Sequence, residues 1–179
     1  LGNLLSLIGK EFDVKVEYMH TNMDQPLGHY SGLLCEIQEC IDSLNGRGPD
    51  DLMQVVFDLG ELALSMANQS NPKNKMVQVI DDGSAFEIFC KMIFEHGGNF
   101  EKIKINHKNS MEIISDKEGY LKYIDTKKIG HMINFLTISN GRTDCDAGMK
   151  FIKKDGDYIR KGDVLCCIFG NTKEYLQVC

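Results

Sequence analysis

The 179 residues include no tryptophan and only three prolines, and no run of about 18 consecutive apolar residues occurs. The missing apolar run excludes a membrane-spanning helix. No internal repeat or low-complexity tract is present, which excludes solenoid and linker-like architectures. The seven cysteines form no C-x-x-C pair and their number is odd. That argues against a zinc or disulfide framework and for reduced thiols in a cytosolic protein. The first residues lack a basic segment and a small-residue cleavage site, so no signal peptide is read there. They also lack an initiator Met and start inside an apolar pattern, as a chain cut from a longer one would. Self-sufficient catalytic motifs are missing as well. There is no G-x-G-x-x-G, P-loop, G-x-S-x-G or H-E-x-x-H. His20, His29, His96, His107 and His131 are scattered, with no pair at ligand spacing on one helix.

What remains is an ordinary globular composition, 42 % hydrophobic, with nine Phe and six Tyr to fill a core. The net charge of −6 argues against nucleic acid or an anionic membrane as partner. Lys122, Lys127, Lys128, Lys150, Lys153, Lys154, Arg160 and Lys161 form a basic run. Acidic residues interrupt it, so it reads as a solvated face.

Periodicity divides the chain in two. Leu4, Leu5, Ile8 and Phe12 form a helical stripe. Val14, Val16 and Tyr18 alternate with charged residues as in a strand. A loop over residues 21–28 follows, placed where α/β proteins carry binding loops. Leu33, Leu34, Ile37, Ile41 and Leu44 predict a helix ending at Asn45-Gly46. Pro49 suits a first helical position, with Asp50 and Asp51 in the first turn, and Leu52, Val55, Val56, Leu59, Leu62, Ala63 and Met66 give the apolar face behind them. A short helix is predicted over residues 72–80. Ser84 and Glu87 have capping-box spacing ahead of another helix, which Gly97-Gly98 stops. Beyond residue 100 short strands dominate: Met111 and Ile113, residues 120–124, 149–152 and 164–169, with one helix over 125–136. On the last strand Cys166 and Cys167 point to opposite faces. The predicted fold class is α/β (α+β). Residues 1–100 form a helix-rich part of a mixed α/β domain, and residues 101–179 form a β-rich, barrel-sandwich-like lobe.

Local acidic pairs have simple explanations. Asp50-Asp51 starts a helix and Asp81-Asp82-Gly83 is a turn. Glu36 and Glu39, three apart on one helix, read as a solvated face. Residues 156–163 fit the Gly-Asp-x-(Val/Ile)-x-x-Gly-Asp form of lipoyl and biotinyl domains. Met149-Lys150 superficially matches the carrier dipeptide of those modules. Lys150 lies too close to Gly156 for that arrangement, and a turn closing two strands is favoured.

The order of several motifs carries more weight than any one of them. The loop Thr21-Asn22-Met23-Asp24-Gln25-Pro26-Leu27-Gly28 resembles the signature loop of thymidine and pyrimidine nucleoside phosphorylases. Residues 32–42 look like that family's Gly-Asn-Ala-Leu-Glu-Val-x-Glu-Ala-Ile helix, and residues 45–52 its Lys-Gly-x-Gly-Pro-x-Asp-Leu turn. Asp82-Gly83-Ser84-Ala85, Gly119-Tyr120, Ile129-Gly130, Gly141-Arg142 and residues 153–165 follow in the family's order. The resemblance covers nearly the whole chain and places it in the family's C-terminal portion.

The resemblance implies a transferase (a pentosyltransferase) of nucleoside salvage: a cytoplasmic homodimer that cleaves thymidine or uridine with phosphate as co-substrate. The family's Lys/Ser/Gly-rich phosphate loop and its His/Arg/Ser/Lys base pocket match nothing here. The chain is therefore expected to hold no catalytic residue and to be inactive alone. One site carries over by the same resemblance, a potassium site beside the phosphate loop. Its ligands here would be the Leu27 and Tyr30 carbonyls and the Glu39 side chain, hard oxygens suited to such an ion. Tyr30 replaces a small residue of the family pattern, which leaves the backbone carbonyl in place. The remaining ligands belong to the phosphate loop, so the site is expected to be incomplete and mostly empty in this chain. The alternatives are a non-catalytic assembly or binding protein with the same fold, and a lipoyl-like carrier.

Overall fold

The computed structural model describes residues 1–99, 106, 108–123, 125–139, 142–171 and 176. The first half of the chain supplies helices: α1 (Gly2–Glu11), α2 (Leu33–Leu44), α3 (Asp50–Met66), α4 (Pro72–Asp81) and α5 (Ser84–Glu95). A three-residue strand, β1 (Tyr30–Gly32), interrupts them directly ahead of α2. The second half carries β2 (Asn109–Ile114), β3 (Gly119–Tyr120), α6 (Thr126–Thr137), β4 (Ile138–Ser139), β5 (Arg142–Thr143), β6 (Gly148–Phe151), β7 (Tyr158–Ile159) and β8 (Val164–Gly170). Every strand pairing is antiparallel, and the fold is mixed α/β.

One sheet organises the rest. Its order is β1-β6-β8-β2, while β3-β7 and β4-β5 are separate two-stranded ribbons. Among the described residues the strands close no barrel. The edge strand β1 comes from the helical half of the sequence and aligns Tyr30 with Lys150 and Gly32 with Gly148. Helix α2 starts at once after β1, and its first turn is seated on the sheet by close approach. A Cβ on Gly148 would crowd Ser31 O and Cys35 Sγ at 2.7 and 2.9 Å, so only glycine fits there. Under α6 lies the core of Ile133, Leu136, Ala147, Met149, Phe151, Ile168 and Leu176. Phe151 and Ile168 are 2 % and 1 % exposed. Burying such a side chain is worth about 1.5–3 kcal/mol.

Helix ends follow the chemistry of the sequence with some shifts. Asp125 caps α6, its side chain accepting the Lys128 N–H at 3.1 Å. Pro72 is the first residue of α4. Pro49 is the cap before α3 and not its first residue, because its ψ of 142° is extended. The Ser84–Glu87 capping box does not form. Gly83 holds the cap position in the left-handed region (φ 79°), and Ser84 is already helical with its hydroxyl on Asp82 Oδ1.

The strand predicted at Val14, Val16 and Tyr18 is not one. No described strand lies beside it to complete a ladder. The segment instead folds back on α1, with Val14 N–H donating to Gly9 O at 2.8 Å and Ser6 Oγ to Val16 O at 3.3 Å. The strand predicted over residues 120–124 shortens to Gly119–Tyr120. His107, Ile124, Gly141 and much of the segment around residues 99–110 lie outside the described residues. Among the described residues no helix is long and apolar enough to cross a membrane.

Candidate functional site

Residues 23–30 run as a loop between the helices and the sheet, and each face of the loop is held by different chemistry. On the helical side stands Glu39 of α2. The sequence placed it on a solvated helix face, yet it is 6 % exposed. It lies one turn after Cys35, and the helix face that buries Cys35 also buries position 39. Its Oε1 accepts the His29 N–H at 2.7 Å. Gly28, with φ at 69°, packs on the same carboxylate, and a Cβ there would collide with it. Among the described residues no Lys, Arg or His forms an ion pair with Glu39.

On the other side stands Lys154, in the turn after β6. The sequence counted it in a solvated basic run, but its side chain is 19 % exposed. Its ammonium donates to Pro26 O at 2.7 Å, to Asp51 Oδ2 at 2.9 Å and to Gly28 O. Asp51, in the first turn of α3, closes the arrangement by accepting the Gly28 N–H at 3.2 Å and the Leu52 N–H at 2.9 Å. Burial alone would push its carboxyl up. The hydrogen bond and charge of Lys154, with the two backbone N–H groups, outweigh that and hold it below the ordinary carboxylate value. Further ties from the second half of the chain are Asp155 N–H to Gln25 Oε1 at 2.9 Å, Thr126 Oγ1 to Met23 O at 3.2 Å and Phe151 N–H to His29 O at 2.7 Å.

These bonds use the carbonyls of Pro26, Gly28 and His29. The Leu27 carbonyl takes no hydrogen bond among the described residues. Because His29 turns its carbonyl to β6, strand alternation turns that of Tyr30 away from β6. Glu39 meets the loop at Gly28 and His29, the two residues between Leu27 and Tyr30. A buried carboxylate with no basic partner among the described residues, beside carbonyls with no hydrogen bond among them, is a donor set that fits a hard monovalent cation. Among the described residues no three His, Cys, Asp or Glu side chains gather as a metal-ligand group. Next to the loop, a cavity of about 460 Å³ is lined by Gln25, His29, Arg47, Asp50, Asp51 and Lys154, among others.

Two other sequence readings are settled by placement. Lys150 lies within β6, between Tyr30 and Cys167, with its ammonium 5.4 Å from the Tyr30 ring centre. A swinging arm needs a lysine at a hairpin tip, so the carrier alternative fails. The described cysteines are all free. Sequence reasoning missed Asp51 and Lys154 as loop-fixing residues. They are 103 positions apart, and no local pattern could have joined them.

Known proteins resemble nearly the whole of this chain in sequence. Over 186 residues the chain is 33 % identical to a thymidine phosphorylase of Metamycoplasma hominis, covering 96 % of this chain and 68 % of that protein. It is 28 % identical over 191 residues to pyrimidine-nucleoside phosphorylases of Staphylococcus aureus strains RF122 and USA300, covering 97 % of this chain and 43 % of each of those proteins. The matched region is the C-terminal portion of these relatives. No family model matches the chain. The fold is mixed α/β, and the chain belongs to the thymidine and pyrimidine-nucleoside phosphorylase family. It spans less than half the length of its Staphylococcus aureus relatives.

Proposed function

We propose that this chain is the scaffold portion of a pyrimidine nucleoside phosphorylase and supplies one side of a monovalent cation site. In the reaction, a phosphate oxygen forms a bond to C1′ of thymidine or uridine as the C1′–N1 bond breaks. The bonding pair leaves with the base, which takes up a proton, and pentose 1-phosphate remains. Positive charge builds on the sugar and negative charge on the base, so the environment must be charged and ordered beforehand. The groups that touch phosphate and base in the family match nothing in this sequence, and no residue here is assigned a catalytic role.

This chain's own contribution is to hold the loop. Glu39 fixes His29 through its N–H and presents a buried negative charge. Glu39, with the carbonyls of Leu27 and Tyr30, would hold potassium. Bound there, the ion supplies fixed positive charge beside the phosphate-binding loop. The observation that carries this reading is the buried Glu39 carboxylate, which has no basic partner among the described residues. Assembly as a homodimer in the cytoplasm, within nucleoside salvage, belongs to the same reading.

The test is phosphorolysis of thymidine and uridine by this polypeptide, with the intact mass of the same sample recorded. No base release at the mass of 179 residues is the expected result. Release at that mass would show that the chemistry lies within this chain and overturn the scaffold assignment. Release only from a heavier chain containing this one would assign the chemistry to the added segment.

A further inference from the structure

Three oxygens converge on the Lys154 ammonium: the carbonyls of Pro26 and Gly28 and the Asp51 carboxylate. Without a cation among them, these oxygens would repel one another. The pair of Asp51 and Lys154 also grips one residue from both sides. Gly28 donates its N–H to Asp51 and accepts from Lys154 with its C=O. The peptide planes on either side of Gly28 are thereby fixed. Those planes contain the Leu27 carbonyl, opposite the Gly28 N–H, and the His29 N–H, opposite the Gly28 carbonyl, and the His29 N–H is bound by Glu39. The turn that carries Lys154 is itself braced, with Lys154 N–H on Asp157 Oδ2 at 2.7 Å and Asp155 N–H on Gln25.

We propose that Lys154 is a positioning residue: a tethered cation that commits the carbonyls of Pro26 and Gly28 and so leaves those of Leu27 and Tyr30 aimed for an exchangeable cation beside Glu39. The loop then lies between two positive charges, one built into the chain and one taken from solution. This deepens the cation reading above and rests on it. Lys154 touches neither the exchangeable ion nor the substrate. It acts by denying the loop the other orientation of its peptides.

The experiment is a potassium titration of the melting temperature of a chain that contains this one together with the phosphate loop, with ionic strength held constant by tetramethylammonium chloride. A ligand that binds only the folded state stabilises it by RT ln(1 + [L]/Kd), so the melting temperature climbs once potassium exceeds Kd, and the concentration equal to Kd is its potassium midpoint. The variant Lys154→Met keeps the apolar stem and removes the charge. It is expected to need about tenfold more potassium for the same rise, the size of effect seen when an outer partner of a metal ligand is removed. A lower melting temperature with an unchanged potassium midpoint would make Lys154 simple structural glue and overturn the proposal. Should Lys154→Met fail to fold, Asp51→Asn decides instead. A raised midpoint supports the proposal, and an unchanged one overturns it. A wild-type protein whose melting temperature ignores potassium removes the cation reading itself, and this proposal with it, a result distinct from failure of the variant.

Discussion

Glu39 Oε1 accepts the backbone N–H of His29 at 2.7 Å, which makes one side chain of α2 an anchor for the loop and, in the proposed function, the carboxylate of the cation site. The two roles separate by substitution. Glu39→Gln keeps an oxygen for His29 and loses the charge. It is expected to fold normally and to lose about tenfold or more in potassium affinity, read from the potassium dependence of its melting temperature. Glu39→Ala also leaves the His29 N–H without its partner and is expected to cost a further ~1–3 kcal/mol of stability in urea unfolding.

Gly28 carries two independent demands, a φ of 69° and contact with the Glu39 carboxylate. Gly28→Ala is expected to destabilise the protein by at least ~1–2 kcal/mol from the left-handed backbone alone. The collision should also displace the carboxylate. Chemical denaturation checks the first effect, and a raised potassium midpoint checks the second.

Phe151 is 2 % exposed, packs edge-on to Tyr123 at a ring separation of 6.3 Å, and donates its N–H to His29 O. Phe151→Ala leaves that backbone bond intact but empties the core under α6. A loss of about 3–5 kcal/mol is expected in urea unfolding, with the m-value unchanged.

Burial pushes the Cys35 and Cys166 thiols up from 9.0 to about 11. A raised thiol value means that the folded state prefers the neutral form. The associated stability is therefore complete below pH 9.0 and drains away as the pH rises toward about 11. The melting temperature is expected to fall over that window. In Cys166→Val, which removes one of the two groups, the fall should be shallower, as a pH series of thermal melts will show.

Several of the elements were legible because their physics is local. The stripe of Leu33, Leu34, Ile37, Ile41 and Leu44 needs only a 3.6-residue period, and it appears as the helix Leu33–Leu44. The turns at Gly156 and Gly162, with φ of 90° and 95°, are of the same kind. Val14, Val16 and Tyr18 misled because alternation describes a surface that could pair and cannot supply the partner. Tyr30 joined a strand without any period of its own, since three residues paired to β6 are too few to write one. The candidate site was legible only through the order of motifs, and half of it was not legible at all. Glu39 looked solvent-exposed by spacing alone, and Lys154 looked like one more surface lysine. Their burial is decided by the packing of α2 on the sheet and by the turn after β6, both of which join residues far apart in sequence.

The bond between Lys154 and Pro26 spans 128 positions. A ribosome adding roughly 5–20 residues each second would take about 6–25 s to deliver the lysine after the proline has been made. For that interval the early loop has no ammonium to close on, and β1 has no β6 to pair with. The early loop therefore emerges unset, and its geometry is imposed by a turn synthesised 128 positions later.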